Sequence, residues 1–434
     1  MKLTLCLVST FLFLGGSLFA QVPGMMTMQP ASVPQGTDLG ANNTVNAAGI
    51  ALGNRVKLRG FVDFRYDNTD IEATDHNMSS GAITGNHDKR FRTGVDLDLL
   101  IDFSPVTAEV HLNASTDSIG LEQAFIRYSF NRDFNLTFGR QLTVMGVESD
   151  ESTGLHQVSH AYAADVAIED GIQSGNAMST FVGIGGLNYL GTSKGADKMY
   201  GTADDVEKVA GPMSLPGIPQ LRRNYVDGIR ANFNNARFGL TVGLHNGLWS
   251  NDNLNDSNIG IDIAAALMIV PGLEWQIGYA YESNDAWDTS IAGYNTAATD
   301  WNTLNPANKA PTIPTGDHIS QFNTFLTYQT GGLTLGIEYD LWDIYALEMW
   351  DLMLSANYQF SNLFGLTFRY SHEDFEVDGL GAEGDTDRFT LSPSFSVTDN
   401  LTILLEYSRI SLNSTALGGS RDVDEVYAET LFNF

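Results

Sequence analysis

Apolar and polar side chains alternate along most of this chain. From Val56 to Tyr66, one parity reads Val56, Leu58, Gly60, Val62, Phe64 and Tyr66; the other reads Lys57, Arg59, Phe61, Asp63 and Arg65. A strand turns successive side chains to opposite faces, so a period of two predicts a strand with one apolar and one polar face. Phe91, Thr93, Val95, Leu97, Leu99, Ile101 and Phe103 repeat the pattern against Arg90, Arg92, Asp96, Asp98 and Asp102. Leu333, Leu335, Ile337, Tyr339 and Leu341 repeat it against Thr334, Glu338 and Asp340, and Phe389, Leu391, Pro393, Phe395 and Val397 against Arg388, Thr390, Ser392 and Ser394.

About sixteen such segments are legible. The first eight are Asn54–Asp67, Lys89–Phe103, Thr107–Ala114, Leu121–Phe130, Phe134–Arg140, Tyr225–Phe233, Ala236–Trp249 and Ile259–Val270. The rest are Leu273–Glu282, Ile319–Gln329, Leu333–Trp342, Met349–Phe360, Gly365–His372, Arg388–Thr398, Leu401–Arg409 and Val423–Phe434. Short connectors rich in Gly, Asn, Asp and Pro, such as Asn234-Asn235, Pro271-Gly272 and Asp399-Asn400, suit tight turns. They take turns with long connectors such as 68–88, 115–120, 141–224, 283–318, 343–348, 373–387 and 410–422. The third long connector, 141–224, is too long for a plain loop. Either it packs inside the fold or it hides another strand pair, for which Met178–Gly186 is apolar enough; eighteen strands are the structural alternative.

A soluble β-sandwich also alternates. Two features point instead to a barrel in a bilayer. Segment lengths run near the roughly 9–11 residues that a tilted membrane strand needs. Aromatics such as Tyr66, Phe103, Tyr128, Phe130, Tyr281, Trp350, Tyr358 and Phe360 gather at segment ends, as interfacial girdles do. The mean hydropathy, −0.10, hides such a barrel, because its apolar residues alternate with polar ones.

Residues 1–20 read as a secretory leader: Lys2, an apolar run from Leu3 to Phe13, and a cut after Ala20. Residues 21–53, rich in Pro, Asn, Met and Ala, read as a flexible periplasmic lead-in, and 54–434 as one barrel domain. The only cysteine, Cys6, lies in the leader, so the mature chain has neither disulfides nor Cys metal sites. Asp and Glu total 52 against 23 Lys and Arg, which disfavours nucleic acid as a partner.

The chain ends Tyr427-Ala428-Glu429-Thr430-Leu431-Phe432-Asn433-Phe434, which resembles the C-terminal signal read by the outer-membrane barrel assembly machinery. As an architecture the chain resembles the Gram-negative porin superfamily, in particular an OmpL-like group of β-barrel porins. Leu136-Thr137-Phe138-Gly139-Arg140-Gln141 looks like the strand that enters the constriction loop in general porins, and the longest loop follows at once. The resemblance implies an outer-membrane location, contact with outer-membrane lipid, a homotrimer, and passive diffusion of small hydrophilic solutes or ions. It makes Arg140 a basic constriction residue, with Glu148, Asp150 and Glu151 as the acidic side. Strict alternation puts Arg140 on the face of Phe138, so that role requires a bulge or strand end to turn it inward. Arg59, Arg65, Arg90, Arg92, Arg127 and Arg230 fall on lumen-facing positions. Opposed arginines and carboxylates would filter solutes by charge and size, or simply pair as wall residues. The carboxylate excess predicts a cation preference.

Other chemistry is thinner. Asp197, Asp204 and Asp205 could share a Ca²⁺, but their spacing is not that of an EF-hand and an exposed acidic loop is the plainer reading. No nucleophile motif frames the serines and histidines, so an enzyme is not expected; His111 and His245 read as lumen residues. No cofactor motif is present. A non-conducting surface barrel, serving as adhesin or structural anchor, is the alternative function, ahead of a barrel enzyme.

Overall fold

The computed structural model describes residues 50–53, 55–72, 87–115, 118–149, 152–161, 225–249, 259–283, 318–344, 347–377, 382–414 and 419–434, with short pieces at 192–193, 206–207, 292, 295–296 and 299. Sixteen antiparallel strands form the wall. They are β1 (Val56–Glu72), β2 (His87–Phe103), β3 (Val106–Ser115), β4 (Ile119–Ser129), β5 (Phe134–Leu142), β6 (Tyr225–Asn234), β7 (Phe238–His245) and β8 (Gly260–Val270). They continue as β9 (Leu273–Ser283), β10 (His318–Thr330), β11 (Leu333–Ile344), β12 (Leu347–Gln359), β13 (Phe364–Val377), β14 (Ala382–Thr398), β15 (Leu401–Ser414) and β16 (Gly419–Asn433).

Every strand pairs with its sequence neighbours, and β16 closes on β1 with Asn433 opposite Phe61 and Asp422 opposite Glu72. The terminal Phe434 finishes the seam by exchanging backbone hydrogen bonds with Gly60 at 3.0 and 3.1 Å. A side chain at Gly60 would run into the Asp96 carbonyl, so only glycine allows that approach. Strand β5 pairs directly with β6, Phe134 opposite Phe233 and Leu142 opposite Tyr225. That direct pairing leaves no gap for an extra hairpin and excludes the eighteen-strand wall; 178–186 lie outside the described residues.

Closure removes every sheet edge. The wall is inverted relative to a soluble protein. Phe91, Phe103, Ile126, Phe389, Val397 and Phe432 are exposed outside, whereas Asp262, Gln276, Glu338 and Arg369 are fully buried inside. Such an apolar exterior needs a lipid solvent. Aromatic pairs ring both ends. Tyr128–Phe130, Tyr358–Phe360 and Phe360–Phe364 lie at the tight-turn end, with centroids 4.7–5.4 Å apart. Tyr66–Phe91 and Tyr370–Phe389 lie toward the loop end, 5.0 and 4.8 Å apart.

Several connectors expected to be long loops are strand instead. Strands β13 and β14 continue to Val377 and from Ala382, and β15 and β16 to Ser414 and from Gly419. Above the apolar belt the outer face no longer has to be apolar, and polar residues occupy both parities, as in Glu373-Asp374 and Asp385-Thr386-Asp387. Apolar alternation stops there while the backbone ladder continues. The segment ending at Trp249 errs the other way. Strand β7 stops at His245, and Leu248 and Trp249 turn inward, their N–H groups donating to Glu282 at 2.6 and 2.7 Å.

Candidate functional site: the lumen and its third loop

The third loop leaves β5 at Leu142 and crosses the lumen. At its entry, Asp262 on β8 is the anchor. Its carboxylate accepts Val144 N–H at 3.3 Å, lies 3.1 Å from Arg230 of β6, and lies 3.0 Å from His245 of β7. Arg230 also donates to the Leu142 carbonyl at 2.8 Å, and Gln276 to the Val144 carbonyl at 3.2 Å. Met145 fills the space over Gly278, where an added Cβ would meet its Sδ at 2.7 Å. Val147 N–H then donates to Glu338 of β11 at 2.9 Å, and Val147 and Ala161 pack with Phe325 and Met353 of the wall.

The far half of the described loop is pinned to β13 and β15. Glu406 accepts the N–H groups of Val158 and Ser159 at 2.6 and 3.1 Å and the Ser159 hydroxyl. Arg369 donates to Glu148 at 2.7 Å, to the Ser159 carbonyl at 2.5 Å and to the His160 carbonyl at 2.7 Å. Ser371 donates to the Ala161 carbonyl, and Thr367 to that of His156 at 2.8 Å. Val158 completes a cluster with Phe61, Leu404, Tyr427 and Leu431. The loop backbone in this dry region is thus satisfied by wall side chains, as buried polar groups must be. His156 is half-buried here, and desolvation pushes its imidazole down to about 4.

The basic residues of the wall are unevenly distributed. Strands β8–β12 contain no Lys or Arg. Their lumen side carries Asp262, Glu282, Glu338, Asp340 and Asp351, all buried. Each accepts hydrogen bonds: three from loop N–H groups as above, Asp340 from Gln321 and Asn323 at 2.7 and 2.8 Å, Asp351 from Trp342 at 3.2 Å. On β1–β4 arginines stand among the carboxylates. Asp67 is reached by Arg65 at 2.8 Å, Arg92 at 2.7 Å and Arg90 at 3.7 Å. Arg59 pairs with Asp98 at 2.6 Å, His111 sits between Asp98 and Glu109, and Arg127 lies 3.4 Å from Glu109.

Of the candidate residues, Arg59, Arg65, Arg90, Arg92, Arg127 and Arg230 line the lumen wall through these pairs. Glu148 lies inside the loop as a buried staple, accepting from Gln157, Arg369 and Ala161 N–H, rather than facing an open passage. Arg140 is on the outer face, 3.7 Å from Asp227. No bulge intervenes, because Thr137 and Gln141 on either side keep the inward parity. A constriction role for Arg140 is thereby corrected. Asp150, Glu151, Asp197, Asp204 and Asp205 lie outside the described residues, and among the described residues no group of three ligating side chains could hold a metal. The anchors Glu406, Arg369 and Glu282 were not singled out from the sequence. Strand parity places them inward, but nothing local marks them as loop partners.

Several solved structures share this fold. Salmonella typhi OmpF, in complex with daunomycin, matches over 87% of this chain and 98% of its own, at 11% identity and TM-score 0.51. Pseudomonas putida OprB matches over 88% and 94%, at 10% and 0.52. The outer membrane channel DcaP of Acinetobacter baumannii matches over 89% and 100%, at 11% and 0.50. The likeness is one of fold, the closed antiparallel β-barrel. No family model matches the chain, and no curated protein matches it in sequence.

Proposed function

We propose that the protein is a porin of a Gram-negative outer membrane, passing small hydrophilic solutes passively through a lumen narrowed by the third loop. The observation that carries this reading is the loop itself: residues 142–149 and 152–161 are held across a polar lumen by wall side chains on six strands. A sixteen-stranded barrel is wide enough for an aqueous channel, and an inserted loop sets its bore. Lipid contact follows from the apolar exterior, and delivery by the barrel assembly machinery rests on the resemblance of the Tyr427–Phe434 segment to its signal. Trimer assembly and membership of the OmpL-like group rest on the sequence resemblance.

The cation preference expected from the overall charge would need solvated carboxylates. Those of β8–β12 are buried and bonded, so selectivity rests on the groups that stay in water. Liposome swelling tests the reading. Neutral sugars should enter protein-bearing vesicles at rates that fall steeply with size. Equal exclusion of all sugars by a folded barrel would turn the reading to a non-conducting adhesin or anchor.

A further inference from the structure

We propose that the outer face of β3–β8 is a contact with further copies of this chain, closing a ring of three about an axis beside Arg140 and Asp227. The inference rests on the porin reading and gives the trimer expected from the sequence resemblance a definite face.

Three observations carry it. First, the wall is low on this side. Strands β3–β9 hold 8–11 residues, whereas β1, β2 and β14 hold 17 each. At roughly 3.3 Å per residue the tall strands run on for about 20–30 Å more along their length. On the tall side the outer face turns polar above the girdle: His372 follows Tyr370, and Arg409 follows Tyr407, on the same parity.

Second, the low side stays apolar to its strand ends. Ile119 of β4 is 79% exposed, Leu244 of β7 50%, and Ile259, just before β8, 51%. Among the described residues Tyr225 is the one aromatic that this side contributes to the loop-end girdle. Aromatic rings mark where a wall meets lipid headgroups, and an exposed aliphatic rim at that height suits burial against protein.

Third, this face carries an outward ion pair, Arg140 and Asp227, 3.7 Å apart and 32% and 44% exposed. The two stand as far from the turn-end Phe134 and Phe233 as Tyr370 stands from Phe364 and Tyr407 from Leu401. On β13 and β15 the outward charges His372 and Arg409 lie one step higher. The pair thus takes the place of girdle aromatics on β5 and β6, where lipid is a poor partner for charge.

In a cyclic ring each copy offers one flank of its face to one neighbour and the other flank to the next. The β3–β4 flank, with Ile119, then meets the β7–β8 flank of the adjoining copy, with Leu244 and Ile259. Around the axis each Arg140 faces the Asp227 of the next copy, so the charges alternate in sign. Ala124, directly opposite Arg140 on β4, keeps the approach open.

The test is disulfide trapping in the full chain. Cys6 is the only native thiol, so a Cys6→Ala background leaves I119C/I259C with two thiols per copy. Strands β5, β6 and β7 separate the two positions within one barrel, so a link between them joins two copies. Oxidation in outer membranes with copper phenanthroline should give linked dimers and trimers on non-reducing gels. The control pair I337C/L391C, outward on β11 and β14, should stay monomeric. Ile119→Asp should shift the unheated protein from oligomer to a folded, heat-modifiable monomer. Trapping no greater than in the control, or an I119D oligomer as stable as wild type, overturns the proposal. Unheated wild type that migrates as a monomer overturns it as well. Bilayer current from wild type separates the two readings. Current without trapping removes this face and keeps the porin; trapping without current keeps the face and fails the porin reading.

Discussion

Glu406 should act as the far clasp of the third loop, and Glu406→Ala should release it. Its carboxylate is buried and accepts two loop N–H groups and one hydroxyl. Without it, the N–H groups of Val158 and Ser159 stay buried with no acceptor from that side chain. Each such donor costs roughly 1–3 kcal/mol, so a loss of about 3 kcal/mol in loop seating is a conservative figure. That corresponds to about two orders of magnitude in the seated-to-released ratio. Val158 gives the readout, because it is 2% exposed and cysteine nearly matches its volume. The only native cysteine is Cys6, so a chain made without residues 1–20 carries a single thiol in V158C. Maleimide labelling of V158C in folded detergent-solubilised barrel should be slow. Adding E406A should speed it about a hundredfold, while E406Q, which keeps one oxygen acceptor, falls between. Labelling unchanged by E406A would refute the reasoning, since the clasp would then contribute nothing to seating.

Other substitutions probe other parts of the account. Gly278→Val drives a side chain into the Met145 thioether and should cost about 1–3 kcal/mol, read as a lower temperature for loss of heat-resistant gel migration. Arg388→Ala leaves Glu425, 2.7 Å away and buried, without its cation and should cost about 3–5 kcal/mol by the same assay. Arg140→Ala should leave single-channel conductance unchanged, because Arg140 points outward; a changed conductance would restore it to the passage. For His156, whose folded pKa of about 4 lies below its free value of 6.5, the seated loop excludes a proton that the released loop accepts. Its stabilisation is complete above pH 6.5 and fades as the pH falls toward 4. Open-channel noise should therefore rise below about pH 5 in wild type and rise less in His156→Asn.

The sequence made the wall legible because a bilayer imposes a strict rule on it. Outward positions such as Phe389 and Leu391 must be apolar, inward ones such as Arg388 and Thr390 polar, and the period of two survives in the text of the chain. Strand ends at the loop side were not legible. At Glu373-Asp374 or Asp385-Thr386-Asp387 polar residues take both parities, so pairing continues without a hydrophobic trace. The lumen face of Arg65, Arg90 and Arg92 could be read from parity, but their convergence on Asp67 needed the register between β1 and β2. The anchoring of the loop was least legible. Glu406 and Val158 are 248 residues apart, and a glutamate inside a polar lumen face carries no local sign of what it holds. Arg140 shows the limit of resemblance: its Gly-Arg context suggested the constriction, while alternation, the more physical signal, put it outside.

The central claim is a water-filled passage beside a seated loop, and single-channel current measures it most directly. Purified mature protein in a planar bilayer should give stepwise, long-lived conductance increments. A barrel that migrates as folded yet gives no steps would contradict the claim and mean that the lumen is sealed.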